Sequence, residues 1–432
     1  MSRAREGEEM YRWATDLFPI NRSLTGAGVR ETLAYLGRML PGLQVLEATS
    51  GTKAFDWTVP DEWTLRDAWI EDESGARIVD MRRGNLHVVG YSIPVDAWLT
   101  RAQLDQHLHS LPDQPDVTPY VTSYYAPYWG FCLPHAQRTA LADGRYHVVV
   151  DTDLKPGVMN LGELVLPGRE DREILLSTNI CHPSLANNEL SGIVVLAALA
   201  QRLASPDDRR FTYRILFLPE TIGAIWYLSR HWQQMRERTE AGFVITCVGD
   251  DRAYSYVPSR NGGTLADRVA LNVLSHKAPD AVLYSYLDRG SDERQYCAPG
   301  IDLPVCSIMR SKYGTYPEYH TSLDDLSLIS PSGLQGAFDV VAECLQVLEA
   351  NHTYRGTMLC EPQLSPRGLY HERSEKGSYP SSGKLLNVLA YADGTRDLVA
   401  LADRLGLPAI ECAGILSELE RHGLVAASWC PP

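Results

Sequence analysis

The 432-residue chain is too long for one ordinary core, so two or three domains are expected. Its composition, 44% hydrophobic and 22% charged, is typical of a soluble globular protein. A formal net charge of −14 argues against nucleic acid or an anionic membrane as the main partner.

The cysteines and the absence of long apolar runs predict the compartment. The nine cysteines are scattered, and no CxxC pair occurs. Their odd number and apolar neighbours, as in Ile245-Thr-Cys-Val, predict buried reduced thiols. The N-terminus has no apolar segment typical of a signal peptide, and no run approaches the length of a membrane span. We therefore predict a cytoplasmic protein with no membrane partner.

Residues 1–42 are predicted to form two helices that pack on the core. Met10 and Leu17 belong to a first apolar face with helical spacing, and Val29 and Leu40 to a second. The loop at 19–26 separates the two patterns because it contains proline and glycine.

Residues 43–165 are predicted to form an inserted, mainly β domain. Short β-type runs alternate here with turn signals such as Asp143-Gly144, and aromatic residues are dense. The tyrosine and tryptophan cluster at 124–131 is either packing between domains or a wall of a substrate pocket. The sequence leaves both interpretations open.

Residues 166–355 are predicted to form an α/β domain with helices on both faces of its sheet. Its strands are apolar throughout rather than alternating, which is typical of a sheet covered on both sides. The predicted strands are 173–178, 213–218, 243–248 and 304–309, and the predicted helices are 191–204, 222–238, 264–275 and 332–351.

After a predicted linker at 356–380, residues 381–432 have the pattern of a winged-helix-like domain. Its predicted helices are 385–392, 397–405 and 409–422. A transcriptional regulator would need basic residues on the last helix, which has only Arg421 and His422 beside three glutamates. We therefore expect a structural or protein-contact role and no nucleic-acid partner.

Four residues that could bind a metal lie at or just beyond strand ends or in ordered loops. These residues are His182, Glu220, Asp250 and His320. Each alone is explained by a hydrogen bond or a helix cap, but open α/β sheets build their sites at the carboxyl ends of strands. A hydrolytic zinc needs histidine and carboxylate ligands from separate elements. Together the four residues predict a zinc site.

Five ordered motifs make the chain similar to a known family. They are Cys-His-Pro-Ser-Leu-Ala-Asn-Asn-Glu-Leu-Ser-Gly (181–192), Pro-Glu-Thr-Ile-Gly (219–223), Cys-Val-Gly-Asp-Asp-Arg-Ala-Tyr-Ser-Tyr (247–256), Gly-Ser-Asp-Glu-Arg-Gln-Tyr (290–296) and Tyr-His-Thr-Ser-Leu-Asp-Asp (319–325). Residues 170–335 resemble the zinc aminopeptidase fold of the M28 peptidases, a mixed sheet of the phosphorylase/hydrolase type. The whole chain resembles the bacterial DUF4910 family, which carries an inserted β domain (DUF2172) and a C-terminal winged helix. Members of that family are often labelled polysaccharide-biosynthesis proteins.

The resemblance implies roles for the four candidate residues. His182 matches the first metal-binding histidine, Asp250 the aspartate that completes that metal's shell, and His320 the histidine of a second metal. Glu220 falls where the M28 enzymes have two adjacent glutamates, one a general base and one a ligand. This chain has one glutamate there, and we interpret Glu220 as the general base.

One departure from the resemblance bears on the metal count. The M28 enzymes bridge two metals with an aspartate at the position of Asn188, and a neutral amide cannot hold two divalent cations in the same way. We therefore predict one zinc ion rather than two. Glu189 is the nearest carboxylate that could act as a ligand, and the alternative is a glutamate favoured by the helix dipole.

These considerations predict a zinc-dependent hydrolase of the aminopeptidase type. Its substrate would be a small peptide or amino-acid conjugate, cleaved at an amide with a free amine next to it. The predicted substrate-binding residues are Asn188, Arg252, Asp292, Glu293, Arg294 and Tyr319. The alternative is a non-catalytic, peptidase-like binding module. A nucleophile pair of Cys181 and His182 is disfavoured because neighbours on an extended segment point to opposite sides. A homo-oligomer stays open.

Overall fold

The computed structural model describes residues 3–205, 208–369 and 379–428. Side chains are described from residue 6 onwards and, after the gap at 370–378, from residue 383 onwards. Parts of the predicted N-terminal, linker and winged-helix segments (1–2, 370–378 and 429–432, with Cys430) lie outside the described residues. The chain divides into two compact units. The first comprises Met1–Gly262 and Val282–Phe338, and the second Gly263–Ala281 and Asp339–Pro432.

The secondary structure alternates in type along the chain. The strands are β1 Gln44–Thr49, β2 Lys53–Ala54, β3 Trp57–Thr58, β4 Glu62–Asp72, β5 Arg77–Asp80, β6 Val95–Thr100, β7 Leu108–His109, β8 Phe131–Cys132, β9 Arg145–Lys155, β10 Val158–Leu166, β11 Glu173–Asn179, β12 Thr212–Leu218, β13 Thr239–Val244, β14 Ser255–Val257, β15 Val282–Leu283, β16 Val305–Met309, β17 Thr353–Gly356, β18 Asp393–Asp397 and β19 Val425–Ser428. The α-helices are α1 Arg3–Leu17, α2 Ala27–Met39, α3 Arg101–Asp105, α4 His135–Thr139, α5 Ser191–Ala204, α6 Ile222–Arg238, α7 Leu265–Lys277, α8 Glu293–Tyr296, α9 Pro331–Ala350, α10 Tyr379–Tyr391, α11 Leu398–Leu405 and α12 Ala409–Arg421. Ala186–Leu190 forms a π-helical turn, and Met81–Arg83, Asn85–His87, Tyr286–Asp288 and Ser365–Arg367 form 3₁₀ turns.

An eight-stranded mixed sheet forms the centre of the first unit, in the order β1-β10-β12-β11-β13-β16-β14-β15. Its four central strands, β12, β11, β13 and β16, are parallel, so their carboxyl ends meet at one edge. The buried faces of β11 and β12 explain why their sequences are apolar throughout. The predicted mixed α/β fold is confirmed.

The inserted region is smaller than predicted. A four-stranded antiparallel sheet, in the order β5-β4-β9-β6, lies within residues 62–155 and has its own core around Ile70, Val148 and Phe131. In contrast, β1 and β10 pair with each other and join the large sheet. The prediction of one β domain over 43–165 therefore placed two strands of the large sheet in the insertion, because local β-type patterns do not identify pairing partners.

The second unit contains the winged helix. Its three-stranded sheet has the order β18-β17-β19, and α11 is capped at its N-terminus by Asp397, whose side chain accepts a hydrogen bond from the Ala400 amide. Because β17 covers Thr353–Gly356, the module begins before the predicted boundary at 381. Helix α7 also belongs to this unit rather than to the sheet domain, and Asn272 on α7 donates to Asp403 at 2.6 Å.

Two further expectations concern cysteines and membranes. Seven of the eight described cysteines are buried, and Cys360 is exposed, contrary to the prediction that all are buried. Among the described helices none has the length and apolarity that a bilayer crossing requires.

Candidate metal centre

The loop after β11 carries the first cluster of site residues. All residues of the π-helical turn Ala186–Leu190 are buried, so its backbone donors need partners inside the protein. The carboxylate of Asp324 accepts hydrogen bonds from the amides of Asn187 at 2.6 Å and Asn188 at 3.0 Å. Asp324, which comes from a distant part of the sequence, therefore holds this loop in its conformation.

His182 is held in one orientation by Glu189. The two oxygens of Glu189 contact the His182 Nδ1 at 2.5 Å and the His182 backbone amide at 2.7 Å. Burial lowers the pKa of His182, but Cys181 and Glu189 outweigh this effect and hold that pKa well above its ordinary value. With Nδ1 occupied, Nε2 is the nitrogen left to face outward.

His320 approaches the same point from another loop. Its ring centroid lies 5.5 Å from that of His182, and the Tyr319 ring stacks on it at 4.0 Å. The buried Nε2 of His320 has no hydrogen-bond partner in the described structure. Burial lowers the pKa of His320 to about 3, so its imidazole is neutral and can donate a lone pair.

Glu220 follows the end of β12 and supplies a carboxylate. Its Oε2 lies 3.6 Å from His182 Nε2, and its side chain is 25% exposed. Burial raises the pKa of the Glu220 carboxyl, although His182 and Arg294 oppose the shift. The amide of Glu220 donates to Cys181 Sγ at 3.2 Å, which ties the two strand ends together.

The backbone is strained around these side chains. Ser184, Thr221 and His320 have φ values of 46°, 65° and 55°, in the left-handed region that non-glycine residues rarely adopt. For a β-branched residue such as Thr221 this conformation is a genuine outlier, and such strain of about 1–3 kcal/mol concentrates at functional sites. The amide of Thr221 donates to Asp292 Oδ1 at 2.8 Å, which helps to hold it.

A cavity of about 360 Å³ opens over the site. His182, Glu220 and His320 line its floor, and aromatic side chains form its wall. The complete lining is Leu24, Trp57, Tyr120, Thr122, Tyr124, Tyr125, Cys181, His182, Glu220, Thr221, Ile222, Arg294 and His320. The aromatic cluster at 124–131 was interpreted either as packing between domains or as a wall of a substrate pocket. Tyr124 and Tyr125 belong to the pocket wall, whereas Trp129 stacks on His107 outside the cavity.

The inserted region is connected to the site by backbone hydrogen bonds. The Tyr120 amide donates to the His320 carbonyl at 2.8 Å, and Pro119 pairs with Thr321 in an antiparallel bridge. The Tyr120 ring lies 5.3 Å from the His182 ring and 5.1 Å from the His320 ring. The insertion thus forms the roof over both imidazoles.

The donor types of a catalytic zinc site face the cavity. The unpartnered Nε2 of His320, the outward Nε2 of His182 and the Glu220 carboxylate are the two-histidine, one-carboxylate set of catalytic zinc sites. Glu189 on the other nitrogen of His182 is the carboxylate that typically orients a ligating histidine. The three donor atoms do not all lie within 4.8 Å of one another, so binding requires a shift of a side chain.

A different group of described residues does have its metal-ligating atoms within 4.8 Å of one another, namely Cys181, His182 and Glu189. We favour the cavity-facing set for two reasons. Both Glu189 oxygens are already engaged by His182, and the Glu189 side chain is 0% exposed. A catalytic metal also needs an open position for substrate, which the cavity provides.

The predicted ligands Glu189 and Asp250 both have other partners in the structure, so the proposed set does not include them. Glu189 contacts Nδ1 of His182, whereas the proposed metal would bind at the other ring nitrogen, Nε2. Glu189 and His182 Nε2 therefore do not share one metal ion. The Asp250 carboxylate accepts four hydrogen bonds, from the amides of Arg252 and Ser311, the Ser311 hydroxyl and the Asn187 side chain. Asp250 also lies six residues beyond the end of β13 at Val244, whereas the prediction placed it at the strand end. It is a structural anchor of that loop.

The predicted substrate-binding residues divide into two groups. Of the six, Arg294 lines the cavity. Tyr319 does not line it, but its ring stacks on the ring of His320, which does. The other four do not line the cavity. Arg252 forms an ion pair with Glu318 at 2.8 Å, and Glu293 is buried and accepts from Tyr313 at 2.6 Å.

Asp292 and Asn188, the remaining two, are buried and lie outside the cavity lining. Asp292 accepts from the Thr221 amide, and burial raises the pKa of Asp292 well above its ordinary value. The Asn188 side-chain oxygen has no hydrogen-bond partner among the described residues.

Sequence reasoning missed two residues that position the site. Arg22 is fully buried and donates from Nε to the His182 carbonyl at 3.0 Å, with the Glu189 carboxylate 4.0 Å away. Asp324 was part of a quoted motif but received no role. For Asp324 the motif was a usable signal, whereas Arg22 lies in an unremarkable loop 160 residues from its partner.

Replacing Glu189 with glutamine is expected to weaken zinc binding by roughly 10- to 100-fold, because the His182 ring loses its orienting carboxylate. The change also leaves Arg22 as an uncompensated buried charge, so the free energy of unfolding should fall by about 3 kcal/mol. Competition with a chelator measures the first effect, and denaturant unfolding the second. An unchanged zinc dissociation constant would show that Glu189 does not hold the ligand.

The fold is that of the zinc aminopeptidases. BSAP, a zinc aminopeptidase from Bacillus subtilis, superposes with a TM-score of 0.58 over 79% of this chain and 94% of its own, at 12% identity. An M28 peptidase precursor from Shewanella amazonensis gives a TM-score of 0.57 over 83% of this chain and 97% of its own, also at 12% identity. At this identity the likeness concerns the fold alone.

The chain belongs to the family described as "Domain of unknown function (DUF4910)", which matches residues 11–351, and a winged helix-turn-helix family matches residues 352–427. A crystal structure of a provisionally assigned peptidase from Clostridium acetobutylicum has a TM-score of 0.92 and 36% identity, and covers 99% of this chain and 97% of its own. A relative from the same organism is 40% identical over 403 residues, which is 93% of this chain and 92% of the relative. That relative is provisionally described as a polysaccharide biosynthesis protein with an aminopeptidase-like domain.

Proposed function

We propose that this chain is a zinc-dependent amide hydrolase of the aminopeptidase type, with one zinc ion and a small peptide or amino-acid conjugate as substrate. The observation that carries the proposal is the pair of outward imidazole nitrogens beside Glu220 at the floor of an aromatic cavity. His182 and His320 are the proposed nitrogen ligands. Zinc bound there would polarise the scissile carbonyl and lower the pKa of water to about 7.

Glu220 is the proposed general base. It is the carboxylate among the cavity-lining residues, and its side chain is partly exposed to the space that substrate would occupy. It can accept the proton of the attacking water and return it to the leaving amine.

Other residues of the chain support this chemistry. Glu189 accepts the Nδ1 proton of His182 and so leaves Nε2 as the nitrogen that a metal would take in place of a proton. Tyr120 and Tyr124, whose hydroxyls are 2.9 Å apart, cover the imidazoles and exclude bulk water from one side. Burial raises the pKa of the Glu220 carboxyl, and His182 and Arg294 oppose this shift, which favours the ionised base.

Metal removal provides the direct test. The purified full chain is expected to contain about one zinc per molecule and to hydrolyse members of a dipeptide and N-acyl-amino-acid panel. Dialysis against a chelator should abolish hydrolysis, and one equivalent of zinc should restore it. Hydrolysis that persists in metal-free protein would contradict the proposal.

The second candidate function is a non-catalytic binding module in polysaccharide or natural-product biosynthesis. It is favoured by Asn188, which stands where the resembling enzymes have a bridging aspartate, and by the description of the Clostridium acetobutylicum relative. Elemental analysis separates the candidates, because a protein purified with zinc in the medium that retains no metal supports the binding module.

A further inference from the structure

The cavity contains an arginine without an ion-pair partner. Arg294, on α8, lines the cavity, and its Nη2 donates to Thr221 Oγ1 at 2.5 Å. Its buried Nε has no hydrogen-bond acceptor within the described structure. No carboxylate of the described residues lies within the 4.0 Å that defines an ion pair with Arg294.

Two other arginines that are withdrawn from water illustrate the usual compensation by a carboxylate. Arg214, 6% exposed, pairs with Glu173 at 2.7 Å, and Arg268 pairs with Asp397 at 2.7 Å. A guanidinium withdrawn from water is costly unless an anion accompanies it. Arg294 thus lines a ligand-sized space with one side-chain hydrogen bond to a hydroxyl and no carboxylate within ion-pair distance, while Glu220 and Asp292 interact with it electrostatically from farther away.

The acidic groups near Arg294 do not offer a second site for an ammonium group. Glu220 is the carboxylate among the cavity-lining residues and is the proposed base. Asp292 is 0% exposed, and its Oδ1 accepts the Thr221 amide. Recognition of a free amine would need a carboxylate in the cavity besides the base, and the described lining has none.

We propose that the substrate carries a carboxylate that pairs with Arg294, as the amino-acid half of an N-acyl amino acid or a dipeptide does. This inference rests on the proposed function, and it replaces the expected free amine as the group recognised. A bidentate carboxylate matches the planar guanidinium.

The size and wall of the cavity define the rest of the ligand. About 360 Å³ lies at the lower end of the range for small-molecule sites and suits a molecule of dipeptide size. Trp57 and Tyr125 lie on the cavity wall and contact each other edge to face, with 5.6 Å between their ring centroids. Trp57 is 39% exposed and Tyr125 is 51% exposed. They offer an apolar aromatic surface to the acyl part of the substrate.

The test compares hippurate (benzoylglycine) with hippuramide, its uncharged carboxamide, on the zinc-loaded full chain. Calorimetry should show that hippurate binds roughly 10- to 100-fold more tightly, the usual effect of a charge-assisted hydrogen bond. Arg294→Gln should remove this preference, and Arg294→Lys should retain part of it. The matched control Arg289→Gln, at an exposed arginine five residues earlier, should leave the preference unchanged.

Several outcomes would overturn the inference. These are no detectable hippurate binding to the wild type, equal affinity for the two ligands, or a preference that survives in Arg294→Gln. If Arg294→Gln binds neither ligand, Arg294→Lys decides, because a lost preference in that folded variant overturns the inference and a retained one supports it. Hydrolysis is scored separately: an Arg294-dependent preference without hydrolysis of any panel amide contradicts only the proposed function.

Discussion

Glu220→Gln is expected to lower the rate of amide hydrolysis by about 100- to 10,000-fold while zinc stays bound. Glutamine has nearly the same shape as glutamate and keeps an oxygen towards His182 Nε2, now 3.6 Å away. It cannot accept the proton of an attacking water, and so the loss falls on the chemical step rather than on the metal. Single-turnover hydrolysis and elemental analysis of the same preparation measure the two quantities.

The control for this variant is Glu237→Gln, an exposed glutamate on α6, the helix that follows Glu220. It should retain full activity and full zinc content. If Glu220→Gln loses its zinc together with its activity, Glu220 is a ligand rather than the base. If it retains activity, the cavity floor is not where the reaction occurs.

His182→Ala is expected to abolish zinc binding at micromolar metal and to reduce hydrolysis to background. The loss should exceed the roughly 100-fold effect of removing a group that only orients a ligand, because this variant removes a donor atom. It also leaves the buried Glu189 without the Nδ1 contact at 2.5 Å. Zinc affinity by chelator competition and hydrolysis of the panel substrates provide the measurements.

His276→Ala serves as the control, because His276 is exposed near the end of α7 and does not line the cavity. It should bind zinc and hydrolyse substrate as the wild type does. Near-normal zinc affinity in His182→Ala would move the metal site elsewhere. A His182→Ala protein that has lost zinc but hydrolyses normally would exclude metal from the mechanism.

Local patterns in the sequence were sufficient where burial is continuous along an element. The predicted strands at 173–178 and 213–218 agree with β11 and β12 within a residue, and α5 and α6 have the predicted bounds. Their apolar runs reflect burial on both faces of the sheet. His182 and Glu220 could be located because they directly follow such strands.

Errors arose where long-range pairing decides the structure. The strand predicted at 243–248 is observed as β13 at Thr239–Val244. Asp250 therefore does not lie at a strand end, and its carboxylate instead accepts hydrogen bonds that anchor the loop. Helix α7 has the right length but belongs to the other unit, because periodicity reveals an apolar face and not its partner. Glu189 contacts Nδ1 rather than Nε2 of His182. This choice depends on side-chain geometry, which the spacing of residues in the sequence does not predict.

The backbone bridge between Pro119 and Thr321, with the Tyr120 amide on the His320 carbonyl, has a consequence for how the family can diversify. The segment that shapes the cavity roof and the loop that presents an imidazole are one hydrogen-bonded piece. Exchanging the insertion between relatives to change substrate choice would therefore also displace the His320 loop. Specificity and metal geometry must be inherited together, so a functional chimera needs both segments from the same parent.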